Sequence, residues 1–271
     1  MYLGIDVGGT KTLIATLDNS GVILERQKFP TDKTYSDWLQ HLANFVAKMS
    51  TDSLVACGVA VPGRIDRTLG IGMAMGNLPW HNVPVQKDVQ KLVGCPVVLE
   101  NDANVAGLSE AMLVKHYDRV LYVTIGTGIG TGIINHRMID SDFADTEGGK
   151  MLLEHNDKLV EWESFASGRA IYQRFGKQAR DITDTATWEA IARNLALGLI
   201  DLIAVVQPQI IIIGGGVAPY YEHLEPPLKK ILDSYATPLV PIPVLKQAER
   251  PEDAVVYGCY DLAKSMYGTT R

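Results

Sequence analysis

A glycine-rich turn that joins strand to strand, present twice, constrains this chain more than any other feature. The first copy lies in "YLGIDVGGTKTLIATLD", residues 2–18. A buried-looking strand runs past Asp6 into Gly8, Gly9, Thr10 and Lys11, and a second β-branched, apolar run follows at once. "NSG" then marks a turn before "VILERQKF", a third strand pattern. A dinucleotide loop and a Walker phosphate loop both need a helix after the glycines, because the helix N-terminus carries the phosphate. No helix follows here, so both readings fall. A hairpin remains, and its glycines bare backbone N–H groups that can form an anion nest.

The second copy is "RVLYVTIGTGIGTGIINHRMI", residues 119–139. It matches the opening hairpin when Gly126–Gly130 is laid on the Gly8–Lys11 turn. Between the copies, Trp38, Leu39, Leu42, Phe45, Val46 and Met49 in "TYSDWLQHLANFVAKMS" follow helical spacing, so these aromatics belong to a core. "SLVACGVAVPG" reads as a buried strand, "VPVQKDVQKLVG" as a short helix, "CPVVLEN" as a strand and "DANVAGLSEAMLVK" as a helix. After the second hairpin come a long helix in "DTATWEAIARNLALGLIDLIAVVQP", the strand "QIIIIGGGV", and helices at "YYEHLEPPLKKILDSY" and "DAVVYGCYDLAKSMYG". The pattern predicts two similar α/β domains, 1–115 and 116–253, with the boundary near Lys115–Asp118 and a C-terminal helix (about 254–271) free to pack back on the first. Without a low-complexity linker, the halves are expected to form a cleft with hinge freedom between them.

Composition narrows the function. A net charge of −6 argues against a dedicated nucleic-acid binder. No apolar run exceeds roughly 6–10 residues, too short to span a membrane. A strand that starts at Tyr2 is expected to leave no room for a leader. Cys57, Cys95 and Cys259 are odd in number and far apart, which suits neither a disulfide framework nor a CxxC metal knuckle. A cytoplasmic protein is expected.

Two related nests and a third glycine cluster, Gly214–Gly216 in "IIGGGV", suggest a nucleoside triphosphate held between the halves. Glycine suits such positions because backbone must approach phosphate oxygens with no Cβ in the way. Thr10, Lys11 and Thr127 can add side-chain donors; alternatively the three clusters are only tight turns. Asp6 beside the first nest suits a hydrated Mg²⁺, or it simply stabilises the turn. Asp102, between strand and helix, is an N-cap or a general base at the carboxyl end of a strand, where open α/β sheets hold ligands. Asn101 is able to cap alone.

Taken in order, "GIDVGGTK", "VAVPGRID", "GNLPWHNVPV", "ENDANVAGLSEA", "TIGTGIGTGII", "EGGKM", "WESFASGRAI" and "IIIIGGGV" resemble the successive blocks of the ROK family of sugar kinases and repressors. That family lies within the actin-like ATPase (ribonuclease H-like) superfamily. The resemblance spans essentially the whole chain. It implies transfer of the γ-phosphate of ATP, with Mg²⁺, to a hexose hydroxyl, usually on carbon 6, with Asp102 as base. Gly63, Asn77, Asn101, Glu147 and Glu163 are then sugar ligands. Gly8, Gly9, Thr10, Lys11, Thr127 and Gly128 hold phosphates, and Gly214, Gly215 and Gly216 lie by the adenosine. Glucose is the expected sugar, with fructose, mannose and N-acetylated hexosamines as alternatives, and a homodimer is the expected assembly. Polyphosphate is an alternative donor. A DNA-binding regulator is not expected, since the first strand begins at Tyr2.

The family commonly has Glu-x-Gly-His and then a cysteine-rich zinc loop before the second sugar-binding glutamate. Here "EGGKM" puts Lys150 at the histidine position, and "LLEHNDKLVEWE" contains no cysteine. No structural zinc is expected. Lys150 is expected to point towards a carboxylate such as Glu147, and His155 to be a solvated residue of a polar loop.

Overall fold

The computed structural model describes residues 1–49, 53–250 and 252–268. The chain divides into two compact units, Met1–Ser109 with Asp253–Arg271, and Glu110–Glu252.

The first unit begins with β1 (Tyr2–Val7), β2 (Lys11–Leu17), β3 (Ile23–Pro30) and α1 (Tyr35–Val46). There follow β4 (Ala56–Val61), β5 (Arg64–Asp66), β6 (Ile71–Ala74), β7 (His81–Val83), α2 (Val85–Val93), β8 (Val97–Asn101) and α3 (Asp102–Ala111), whose last two residues already belong to the second unit. Its main sheet has the order β3-β2-β1-β4-β8. The β1–β2 and β2–β3 pairs are antiparallel, whereas β4 and β8 add in parallel. Parallel strands must be covered on both faces, which is why β4 reads as the unbroken apolar run "ACGVAV" and is buried throughout. One face carries α1, whose Trp38, Leu42 and Val46 are buried at helical spacing, with Leu39 and Phe45 packed at the margin. Trp38 Nε1 donates to Thr12 Oγ1 on β2 at 3.0 Å, so the burial leaves its indole N–H paired. The other face carries the C-terminal helix Ala254–Tyr267, which reaches the backbone of the sheet. A Cβ on Gly4 would stand 2.9 Å from the Val256 carbonyl, and one on Gly58 would collide with that of Cys259. Of the expected helix over 254–271, the last three residues lie outside the described residues, as does Ser50 of the first helical segment.

The second unit contains β9 (Arg119–Ile125), β10 (Ile129–Asn135), β11 (Met138–Ile139), β12 (Leu152–His155) and β13 (Lys158–Glu161). It continues with α4 (Trp162–Ala166), α5 (Gly168–Phe175), α6 (Thr185–Val206), β14 (Ile210–Gly214), α7 (Tyr221–Asp233) and β15 (Val244–Gln247). Its main sheet, β11-β10-β9-β14-β15, repeats the first one's plan: two antiparallel pairs, then two parallel additions. Each glycine turn therefore leads out of the central strand of a five-stranded sheet. Gly8, Gly9 and Thr10 separate β1 from β2, and Gly126, Thr127 and Gly128 separate β9 from β10. Gly130, which the sequence comparison laid on the turn, is already in β10 opposite Thr124, because β10 starts one residue after Gly128.

"LLEHNDKLVEWE" is not a loop. Leu152–His155 and Lys158–Glu161 pair antiparallel, and Asn156 and Asp157 turn the chain at φ 54° and 59°. Asn and Asp tolerate that left-handed conformation, and a two-residue turn of this kind matches the twist of the strands it joins. Among the described residues, no helix is long and apolar enough to cross a membrane.

Candidate active site

In the first unit, β1, β4 and β8 run in parallel and end side by side, with Asp6 opposite Ala60 and Val61 opposite Asn101. The carboxyl edge of such a sheet is where ligands bind in open α/β folds. β8 passes into α3 with no intervening loop. Asn101 Oδ1 caps the new helix, accepting from the Ala103 N–H at 2.8 Å and the Asn104 N–H at 3.3 Å. Its amide Nδ2 donates to the Gly63 carbonyl at 3.0 Å, tying the helix start to the turn after β4. Gly63 sits at φ +88°, and a Cβ there would overlap the Ala74 carbonyl. Gly9 packs on the other side of this edge, where its Cβ would lie 3.3 Å from Cβ of Asn77.

Asp102 Oδ1 also accepts from the Ala103 N–H at 2.8 Å. Since Asn101 already serves the helix end, capping does not by itself account for Asp102. Its carboxyl is near enough to Asp6 to act on it electrostatically. Loss of solvent around its carboxyl, then the Asp102 charge, push Asp6 up to about 7, against a pull from Lys28. Asp6, the Gly8–Thr10 turn, Gly63, Asn77, Asn101 and Asp102 thus lie along one edge, with Lys11 opening β2 and exposed.

Two residues here escaped the sequence reading. Glu100 is 5% exposed and is held by Arg67 at both carboxylate oxygens, 2.7 Å and 2.6 Å. Glu100 Oε1 also accepts from the Asn101 N–H at 2.7 Å and from Asn104 Nδ2 at 2.9 Å. The available signal was a charge closing the apolar run "CPVVLE", since a buried carboxylate requires a partner.

In the second unit, Thr127 and Gly216 line one hollow of about 490 Å³ with Gly126, Arg169 and Tyr172. That volume suits a small organic ligand. β14 ends at Gly214, and Gly215 turns at φ +77° against the Ile125 backbone, where a Cβ would come within 2.6 Å of the Ile125 carbonyl. Gly216 has open space beside it, with nothing nearer its Cβ position than 3.9 Å. Both Arg169 and Tyr172 stand on α5; Arg169 belongs to the block "WESFASGRAI" without a role in the sequence reading, and Tyr172 lies one residue beyond it.

Gly128 lies against the other predicted group. The carboxylate of Glu163, on α4, fills the place a Gly128 Cβ would take, and its Oε2 accepts from the Ile129 N–H at 3.1 Å. Glu147 precedes the short turn Gly148–Lys150, and partial desolvation, then Glu163, raise its carboxyl above the usual range. Lys150 does point to carboxylates, as expected, but to Glu163 and Glu161 and not to Glu147. Its Nζ donates to Glu163 Oε1 at 2.6 Å and Glu161 Oε2 at 2.9 Å, because the β12–β13 hairpin brings Glu161 back beside it. His155 is likewise not simply solvated: its ring stacks on Phe165, centroids 4.2 Å apart and planes 8° apart.

All three cysteines are buried and belong to the first unit, on β4, before β8 and on the C-terminal helix. Among the described residues, no group of three or more His, Cys, Asp or Glu side chains is arranged to hold a metal ion.

With this geometry in hand, comparison with known proteins is informative. The family model described as the ROK family matches residues 2–266. A Bacillus subtilis (strain 168) protein whose name proposes a fructokinase is 32% identical over 87% of this chain and 84% of its own length. A glucokinase of Streptomyces coelicolor is 28% identical over 97% of this chain and 98% of its own. Among solved structures, a ROK family glucokinase from Streptomyces griseus in complex with glucose and AMPPNP superposes with a TM-score of 0.83. That match is 26% identical and covers 97% of this chain and 99% of the other. The two repeated α/β units are accordingly those of the actin-like ATPase fold.

Proposed function

The chain belongs to the ROK family, and we propose that it is a hexose kinase transferring the γ-phosphate of ATP to the 6-hydroxyl of glucose. One observation carries the reading. Asp102, Asn101, Gly63, Asn77 and the Gly8–Thr10 turn share the carboxyl edge of one sheet, with a second acid, Asp6, beside the base.

In this reading Asp102 accepts the proton of the sugar hydroxyl as its oxygen bonds to the γ-phosphorus, while the bond to the β-phosphate oxygen breaks and ADP leaves. A positioned base of this kind contributes about 10²–10⁴-fold. Asn101, Gly63, Asn77, Glu147 and Glu163 are the proposed partners of the sugar hydroxyls. Hydroxyl recognition needs several short polar groups, because a buried hydroxyl left unpaired costs about 1–3 kcal/mol. Gly8–Lys11, Thr127 and Gly128 are proposed for the phosphates, and the hollow by Gly214–Gly216, with Arg169 and Tyr172, for the nucleoside.

Asp6 fits a magnesium ion. A carboxyl desolvated beside a second carboxyl is short of positive charge, and Mg²⁺ takes one or two carboxylates with water and phosphate oxygens. When bound, the ion neutralises charge on the transferring phosphate. The reading extends to a cytoplasmic homodimer acting on small molecules, without nucleic acid, whose product feeds carbohydrate metabolism.

Fructose is the second substrate, favoured by the Bacillus subtilis relative. The test is a coupled assay with Mg²⁺ and ATP across glucose, fructose, mannose, N-acetylglucosamine and N-acetylmannosamine, repeated with polyphosphate as donor. Highest kcat/KM for glucose with ATP is expected. Absence of turnover on every hexose with either donor overturns the reading.

A further inference from the structure

Glu163 is clamped at both oxygens. Oε2 takes the Ile129 N–H, one residue past the second glycine turn, and occupies the space that Gly128 leaves by lacking a side chain. Oε1 takes Lys150 Nζ at 2.6 Å. Lys150 is itself anchored by Glu161 at 2.9 Å. The anchor depends on the hairpin: Leu152 pairs with Glu161, and the Trp162 N–H donates to the Met151 carbonyl at 2.8 Å. Lys150, Glu161 and Glu163 therefore form a short relay that begins on a hairpin and ends on the first backbone N–H of β10, directly after the glycine turn.

We propose that Lys150 is a positioning residue that fixes the Glu163 carboxylate for the sugar, with Glu161 as its anchor. The proposal rests on the reading of Glu163 as a sugar ligand. A carboxylate offers about four acceptor sites, and the two clamps use one on each oxygen, leaving a second on each for hydroxyls. Held at both oxygens, the carboxylate plane is set before the sugar arrives, so little freedom is lost on binding. Without Lys150, Glu163 keeps only its bond to the Ile129 N–H and can turn about it. Two neighbouring carboxylates then also lose their shared counter-charge.

The side chain of Lys150 is 51% exposed, and ion pairs at that exposure contribute little to stability. Its role should therefore appear in substrate binding and not in the melting temperature. The glycine turn has its own closure, Gly126 N–H to the Gly128 carbonyl at 3.0 Å, which does not involve Lys150.

The test uses the full-length enzyme and the hexose of highest kcat/KM among glucose, fructose, mannose and N-acetylglucosamine. Lys150→Met, Lys150→Arg and Glu163→Gln are compared with the wild type. For Lys150→Met, sugar KM is expected to rise about 10-fold, with kcat within about threefold and ATP KM within about twofold, the pattern of lost ground-state binding. The melting temperature should stay within about 2 °C, and Lys150→Arg should bring sugar KM back to within about threefold of the wild type, since a guanidinium also bridges carboxylates. Sugar KM within about twofold of wild type in Lys150→Met, when Glu163→Gln raises it, overturns the proposal. So does a rise in ATP KM matching the rise for sugar, which marks a general disturbance. An unchanged sugar KM in Glu163→Gln is a different failure, that of the ligand reading itself.

Discussion

Arg67 grips Glu100 across 33 residues of chain, donating from Nε to Oε2 at 2.7 Å and from Nη2 to Oε1 at 2.6 Å. The same Glu100 Oε1 receives the Asn101 N–H and the Asn104 side-chain amide, so the ion pair stands directly behind the strand-to-helix junction that presents Asp102. The Arg67 side chain is 31% exposed and that of Glu100 is 7% exposed, which places the cost of breaking the pair on the glutamate.

Arg67→Ala should therefore lower the unfolding free energy by about 2–3 kcal/mol, somewhat under the ~3–5 kcal/mol of a fully buried pair, because solvent can reach part of the site. Glu100→Gln with Arg67 intact should cost less, since the amide keeps part of the bonding. Urea unfolding of both variants measures this, and Arg67→Ala within about 0.5 kcal/mol of wild type would refute it.

Asp102→Asn should preserve the fold and sugar affinity while lowering kcat by at least about 10²-fold, because the proton acceptor is lost and the Asn101 cap remains. Asn101→Ala is expected to do the opposite in stability, losing about 1 kcal/mol with the cap and releasing the Gly63 carbonyl. Near-normal kcat in Asp102→Asn would reduce Asp102 to a helix-end residue. Thermal melts and steady-state kinetics on the pair separate the two roles.

Asp6 makes stability depend on pH in a stated direction. Its folded pKa, about 7, lies above the unfolded value of 3.8. The folded state thus holds this proton more tightly, and the associated stability is present below pH 3.8 and lost as pH rises through about 7. Asn at this position does not titrate. The ligand-free Asp6→Asn protein should accordingly gain on wild type between pH 5 and pH 8, by on the order of 2 kcal/mol, while losing activity. Calorimetry at both pH values decides it, and an advantage that shrinks as pH rises would contradict the assignment.

Metal content gives a further check. Structural zinc generally needs four Cys, His or carboxylate ligands, and this chain has Lys150, not histidine, in its Gly148–Lys150 turn, with its cysteines in the other unit. Purified protein should carry well under one zinc per chain by elemental analysis. Chelator should leave the melting temperature unchanged, and activity should return with Mg²⁺ alone. A tightly held zinc whose removal unfolds the protein would overturn this expectation.

Much of the fold was legible because its signals are local. A β-branched run, a glycine turn and another β-branched run make a hairpin wherever they occur, and the repeat of that pattern is the repeat of sheet order seen in the two units. Helical spacing in α1 and the continuous apolar runs of β4 and β14 likewise announce their own burial. The β12–β13 hairpin is less legible: Asn156-Asp157 is a turn signal, but Leu152-Leu153 and Leu159-Val160 put apolar residues side by side and break the period of two that marks a strand.

What the sequence alone determined, then, is the strands and helices of the two main sheets' layers, the two glycine turns and the residue types offered at the ends of the strands. These follow from backbone sterics and from side-chain periods of two and 3.6, which act within a few residues. Only the tertiary structure decided who meets whom: Arg67 with Glu100, the Asn101 amide with the Gly63 carbonyl, and Lys150 with Glu161 and Glu163 instead of the nearer Glu147. Such pairings depend on strand register and on where a hairpin returns the chain. Several carboxylates stand within a few residues of Lys150 along the sequence, and only the folded path of the hairpin selects the two within reach of its ammonium.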